Sequence, residues 1–235
     1  MEELQYTWLG HASVKLIGEK IVYIDPFQIK KNSADADIIL CTHAHHDHCS
    51  IEDIKKVMNS NTIIVCPPDC LSKFKGLLVK EIIPVEPCQE ITLRGLKIET
   101  IPAYNVNKFR SPGILFHPQE NYWVGYIVYL GGKKIYHSGD TDKIPEMALL
   151  HGIDLAFVAV GGTYTMTWQE AVEAVLSFFP KKAIPMHYGS IVGSVQDAVN
   201  FKNEVIKHKI HILNLDKLIY LAAYIPFDLI ENSWV

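Results

Sequence analysis

The heptapeptide Thr42–His48, THAHHDH, packs four histidines and one aspartate into seven residues, directly after ADIILCT and just before SIEDIKKVM. The first of these flanks is a β-branched apolar run with strand character. The second opens on Ser50, followed three residues later by Asp53, which reads as a helix with a capping box. The cluster therefore occupies a strand-to-helix loop gripped by rigid elements on both sides. Crowded imidazoles repel one another when protonated and are costly to bury without partners, so the loop points to metal ligation.

His43 and His45 are two apart and face the same way on an extended backbone, with only Ala44 between them, so one ion can take both. A turn at Asp47 and His48 aims a carboxylate and another imidazole at a second position nearby. This mix of nitrogen and oxygen donors suits zinc, with manganese or iron as alternatives.

Around the cluster, SVKLI, KIVYID, NTIIVCP and EIIPVEP are further strand signals. EITLRGLKIETIPA and WVGYIVYLGGKKIYHSGD read as hairpins, turning at Arg94-Gly95 and Gly131-Gly132. DLAFVAV, KKAIPMH and HKIHILNL look like buried strands. Thr167 and Glu170 cap TWQEAVEAVLSFF, whose Ala171, Val172, Val175, Leu176 and Phe179 recur at helical spacing. Ser194 opens SVQDAVNFKNEVIKH, with an interrupted apolar face of Val195, Ala198, Val199, Val205 and Ile206. The fold class is α/β, and no linker divides the chain, so residues 1–235 are expected to form one domain.

AYNVNKFRSPGILFHPQENYW is long and without evident secondary structure, and such loops are often functional. Lys108 and Arg110 are candidates to hold a phosphate or carboxylate of a small, anionic substrate, with Tyr104 and Trp123 as aromatic walls. Solvated charges on a loop are the plain alternative.

With 235 residues, 49% of them hydrophobic, and a net charge of -4, the chain has ordinary globular composition. Its lysine pairs are scattered, so no nucleic-acid partner is expected. The opening MEELQYTWLG carries no targeting signal and no apolar stretch approaches the roughly 18 residues of a membrane span, which leads us to expect a cytoplasmic protein. Five cysteines fit reduced thiols better than a disulfide framework. The apolar LIYLAAYIPF reads as a last core element, with a homo-oligomer surface or a membrane-facing patch as alternatives.

Taken together, THAHHDH, SGDTD and PMHYG fit, in order, the HxHxDH signature, the bridging aspartate and the last histidine of the metallo-β-lactamase superfamily. TWLGHAS, YIDPF, IYHSGDTD and IPMHY resemble more particularly its branch of uncharacterised metal-dependent hydrolases related to ascorbate-phosphate lactonases. The resemblance implies an αββα four-layer sandwich of two mixed β-sheets, with two divalent metal ions at one edge between the sheets. It implies His43 and His45 on the first ion, Asp47, His48 and His187 on the second, and Asp140 bridging them. Asp47 would also be catalytic, orienting a water whose pKa two metals about 3.5 to 4 Å apart lower toward roughly 7. His46 takes the variable position of the signature.

One departure stands out. The family places a further first-metal histidine after a strand, commonly as AxH, where this chain reads AYN and puts Asn105. An amide oxygen binds zinc or iron more weakly than imidazole does. His117, twelve residues on in LFHP, is a candidate substitute, or else an ordinary loop histidine before proline. His11 and Asp25 are expected to stand behind the ligands, because metal-bound imidazoles usually donate their other N–H to a carboxylate or similar acceptor. His137 is expected to be structural.

The leading expectation is therefore a metal-dependent hydrolase of a small ester, lactone or phosphodiester. A mononuclear-iron redox enzyme of the same fold, or a non-catalytic metal-binding or interaction module, are the alternatives.

Overall fold

A computed structural model of the protein describes residues 3–208, together with the backbone of His211–Ile212. The apolar LIYLAAYIPF lies outside the described residues, as does most of HKIHILNL.

The first sheet runs in chain order: β1 (Gln5–Gly10), β2 (Ser13–Ile17), β3 (Ile21–Ile24), β4 (Ile38–Leu40), β5 (Ile63–Cys66) and β6 (Glu81–Pro84). β1 to β3 pair antiparallel and β3 to β6 pair parallel. Helix α1 (Ile51–Val57) connects β4 to β5, and a short 3-10 helix (Pro68–Phe74) precedes β6.

The second half forms β7 (Glu90–Leu93), β8 (Leu96–Pro102), a small hairpin of β9 (Phe109–Ser111) and β10 (Ile114–Leu115), then β11 (Val124–Leu130), β12 (Lys133–His137) and β13 (Leu155–Ala159). Helix α2 (Trp168–Phe178), β14 (Lys182–Met186), helix α3 (Val195–Lys207) and β15 (His211–Ile212) follow. The second sheet has the order β15-β14-β13-β12-β11-β8-β7, parallel from β12 to β15 and antiparallel elsewhere. Two mixed sheets with helices make the expected α/β sandwich.

Runs without polar residues resolve into two faces by the period of two that a strand imposes. In β3, β4 and β5 the residues Val22, Ile24, Ile38, Leu40, Ile63 and Val65 join the core shared with the second sheet. Their neighbours Tyr23, Ile39, Ile64 and Cys66 pack instead with Ile54 and Val57 of α1 and with Phe74. Tyr126 of β11 is fully buried, and its hydroxyl donates to the Cys41 carbonyl across the sandwich at 2.8 Å, tying the sheets together just before the histidine loop. All five cysteines are free, and Cys41, Cys49, Cys66 and Cys70 are buried.

Three readings of the sequence need correction. Helix α2 ends at Phe178, which is buried and packs on Tyr136 at 5.7 Å, while Phe179 is the left-handed cap and is 66% exposed. In α3 the buried apolar residues are Ala198, Phe201 and Val205, and Ile206 points outward. The segment read as structureless folds into the β9/β10 hairpin and a 3-10 turn (Gln119–Asn121).

Candidate metal centre

The loops that follow β1, β3, β4, β8, β10, β12 and β14 supply His11, Asp25, the heptapeptide, Asn105, His117, Asp140 and His187 in turn. Because β3 to β6 run parallel, as do β12 to β14, ligand-bearing loops gather at the carboxyl ends of these strands, the usual place for a site in such sheets. The backbone is left-handed at three of these positions, with φ of 50° at His11, 47° at Asp25 and 62° at His187. Each such conformation costs on the order of 1 to 3 kcal/mol for a residue other than glycine and persists where the surroundings enforce it.

Potential donor atoms come together in three overlapping groups, each with its atoms within 4.8 Å of one another: His43, His45 and His117; His43, His48 and Asp140; and His11, Asp47, His48 and His187. Asp140 is central. Its Oδ1 lies 3.3 Å from His48 Nε2, and its Oδ2 lies 3.4 Å from His117 Nε2 and 3.1 Å from His187 Nε2. Nevertheless His48 Nε2, His117 Nε2, both ring nitrogens of His187 and Asp140 Oδ1 are buried without a hydrogen-bond partner. Buried polar atoms left unpaired are costly and rare, and a divalent cation among them would satisfy several at once. The donor set therefore fits metal ions.

The rear of the cluster fixes its tautomers. Thr42 donates through its N–H and hydroxyl to Asp25, at 2.7 and 2.6 Å, and Asp25 Oδ2 accepts from His48 Nδ1 at 2.7 Å. With its proton so committed, the Thr42 hydroxyl is left to accept from His43 Nδ1 at 3.0 Å. Asn105 Oδ1 accepts from His117 Nδ1 at 2.9 Å and from the His117 N–H at 2.8 Å. Three imidazoles thus carry Nδ1–H toward the protein and present Nε2 toward the cluster, the arrangement that orients metal-binding histidines.

Charge follows the same division. Burial holds His43 well below the ordinary histidine range, lowers His11, and brings His45 to about 4, so these rings are neutral and able to donate a lone pair. Burial works against ionisation of Asp47, but the hydrogen bond from His11 and the nearness of His48 outweigh it and hold the carboxyl far below its usual range. Asp140 is likewise buried, and His187 and His48 keep it charged. Burial opposes the charge on His48 too, and Asp140 and Asp25 more than offset it, raising that ring.

The remaining candidates divide. His46 points into solvent, 79% exposed. His11 Nε2 donates to Asp47 Oδ2 at 2.9 Å and lies itself within reach of the His48 and His187 donors. His137 is held by the Ala12 carbonyl at 2.8 Å. The Tyr104 hydroxyl donates to Glu146 at 3.1 Å, Arg110 is exposed on β9, and Lys108 reaches Glu170 and Asp142. Trp123 packs against His43, His45 and His117 at ring distances of 4.8, 4.9 and 5.4 Å, and its indole N–H donates to Asp69 at 2.7 Å. Asp69, Asp142 and Lys73, whose ammonium donates to the Ala44 carbonyl inside the heptapeptide, were not singled out from the sequence. The one available signal was the position of Asp142 inside the motif SGDTD.

Residues 11–188 match the β-lactamase superfamily domain. A UPF0173 metal-dependent hydrolase of Thermoplasma acidophilum is 33% identical over 214 residues, covering 86% of this chain and 91% of the relative. The corresponding Thermococcus kodakarensis protein is 35% identical over 210 residues, covering 84% and 90%. Among solved structures, that of a protein from Parabacteroides distasonis described as a metal-dependent hydrolase superposes with a TM-score of 0.76 at 32% identity, over 90% of this chain and 92% of its own.

Proposed function

Since the chain belongs to the metallo-β-lactamase superfamily and is a metal-dependent hydrolase, we propose that it cleaves a small ester, lactone or phosphodiester at a site for two divalent ions. His43, His45 and His117 would hold the first ion and Asp47, His48 and His187 the second, with Asp140 between them. The observation that carries this reading is the set of unpaired, buried imidazole nitrogens converging on Asp140.

When bound, such ions lower the pKa of water toward neutrality and stabilise negative charge on a carbonyl or phosphoryl oxygen. The protein's own part begins at Asp47. Its Oδ2 is engaged by His11 and lies 3.5 Å from His48 Nε2, and the carboxylate would orient the attacking water by accepting its hydrogen bond. The water oxygen would bond to carbon or phosphorus, the ester C–O or P–O bond would break, and the departing alkoxide would take up the proton that the water releases. Trp123 packs against one side of the imidazole cluster. Exposed Arg110, rather than Lys108, is the cation left to meet an anionic group on the substrate.

Zinc fits the donor set best, with manganese or iron as the alternatives. Hydrolysis of a panel of nitrophenyl esters, lactones and nitrophenyl phosphodiesters by the metal-loaded protein tests the proposal. Turnover that His48→Ala reduces by at least about a hundredfold is expected. Wild type and His48→Ala indistinguishable across the panel would sink it, and iron with oxygen-dependent turnover would support redox chemistry instead.

A further inference from the structure

We propose that Lys108 is a positioning residue of the first metal site: its ammonium locks the loop that brings His117 to His43 and His45. The inference rests on the proposed assignment of those three imidazoles to one ion.

The amide of Asn105 stands at the end of β8 and is turned to the back of His117. Its Nδ2 donates to the Tyr164 carbonyl at 2.9 Å and to Asp142 Oδ1 at 3.3 Å, which fixes the amide's orientation and leaves Oδ1 for the His117 N–H groups. Asp142 in turn gathers the loop: its Oδ2 accepts from the N–H of Val106 at 2.6 Å and of Asn107 at 2.9 Å.

Lys108 sits over this turn. Its side chain is only 12% exposed, and Nζ reaches Glu170 Oε2 at 2.8 Å and Asp142 Oδ1 at 3.5 Å. Its carbonyl also accepts from the N–H of Phe116, the residue before His117, at 3.1 Å. Glu170 is anchored independently, because it closes the capping box of α2 by accepting from the Thr167 N–H at 2.7 Å. A continuous polar chain therefore runs from the first turn of α2 through Glu170, Lys108, Asp142 and Asn105 to the Nδ1–H of His117.

The chemistry explains why a lysine belongs there. Asp142 and Glu170 are brought together by elements far apart in sequence, and without a cation between them the two carboxylates would push the loop and the helix apart. A loop free to move would take His117 with it, because the other two imidazoles come from the separately anchored heptapeptide. The second ion's donors, Asp47, His48 and His187, make no contact with Lys108 in this chain of bonds. Loss of the ammonium should thus weaken one metal site and spare the other.

Cobalt(II) titration of the metal-free protein, followed by its visible absorption, tests this with wild type, Lys108→Met, Lys108→Arg, Glu170→Gln and His117→Ala. Wild type should show two binding steps. Lys108→Met should weaken one of them by roughly tenfold to a hundredfold, the usual effect of removing a group that orients a metal ligand. Glu170→Gln, which retains an acceptor for the cap, should weaken the same step, and Lys108→Arg should restore most of it. The melting temperature of the metal-free protein should differ little among them. Both steps unchanged in Lys108→Met and Glu170→Gln, or both weakened together, overturns the inference. His117→Ala separates the two levels: if it leaves both steps intact, the assignment of His117 to the first ion has failed, whatever Lys108 does.

Discussion

At His187 a left-handed backbone, a ring with both nitrogens unpaired and a close glycine meet in one place. A Cβ built on Gly161 would lie 2.4 Å from the His187 carbonyl oxygen and 3.1 Å from its Nδ1. Gly161→Ala must displace the very residue that points at Asp140. We expect a loss of about 1 to 3 kcal/mol from overpacking, read as a lower melting temperature, together with a reduced content of bound metal. Unchanged metal content would mean that His187 tolerates the shift and does not act as a ligand. Much of the cluster at this scale could be named from sequence, because the HxHxDH spacing, SGDTD and PMHYG are local patterns. The pairing of Asn105 with His117 could not. It depends on the amide turning its oxygen toward a ring twelve residues away, and nothing local specifies that rotamer. The surroundings of Lys108 are hidden for the same reason: a lysine on a loop looks available until the folded chain brings Glu170 and Asp142 to it.

Helix α1 shows how a secondary-structure element holds the loop that it terminates. Ser50 caps it by accepting from the Asp53 N–H, and Asp53, buried at the third position, also reaches outside the helix. Its carboxylate accepts from the N–H of Gln28 at 3.0 Å and of Ile29 at 2.8 Å, as well as from Ser50 and Lys56. Burial favours the neutral acid, but Lys56, Ser50 and the two backbone N–H groups outweigh it and hold the group below its ordinary 3.8. A folded-state value lowered in this way contributes stability that is fully present above about pH 4 and is lost as the pH falls through the lower folded value. Asp53→Asn in the metal-free protein should therefore cost about 2 kcal/mol at pH 7 in denaturant melts, and the gap to wild type should shrink as the pH drops below 4. A gap independent of pH would assign the loss to packing. Strands and helices were legible from periodicity, since β3, β4 and β5 alternate between two cores and α2 and α3 carry capping boxes. The end of α2 was not, because Phe178 and Phe179 are chemically alike and only the left-handed cap decides which one faces the core. The β9/β10 hairpin escaped notice because its exposed residues show no alternation.

On the scale of the whole molecule, the two sheets and the β9/β10 hairpin place seven loops at one edge, and the cluster among them joins parts of the chain that also meet through the apolar core and through polar bonds such as Arg94 to Asp37 and Trp123 to Asp69. Metal bound to the native state alone must then raise its stability, by about 2.7 kcal/mol when the free ion stands at a hundred times its dissociation constant. Chelation should lower the melting temperature of wild type and leave that of a His48→Ala, His117→Ala double variant almost unmoved; equal shifts in both would place the metal elsewhere. No helix among the described residues is long and apolar enough to cross a membrane. The family and its sandwich follow from motifs strung along the chain, as does the proposed division of donors between two ions, whereas the place of His117 beside His43 and His45 is visible only in the folded molecule. The most direct test of that division is an anomalous-difference map from a crystal of the metal-loaded protein, recorded at the absorption edge of the metal found. Two peaks are predicted: one bounded by His43, His45 and His117 Nε2 at about 2.0 to 2.1 Å for zinc, the other by Asp47, His48 and His187, with Asp140 between them. A single peak, or a first peak that His117 does not touch, would contradict the account.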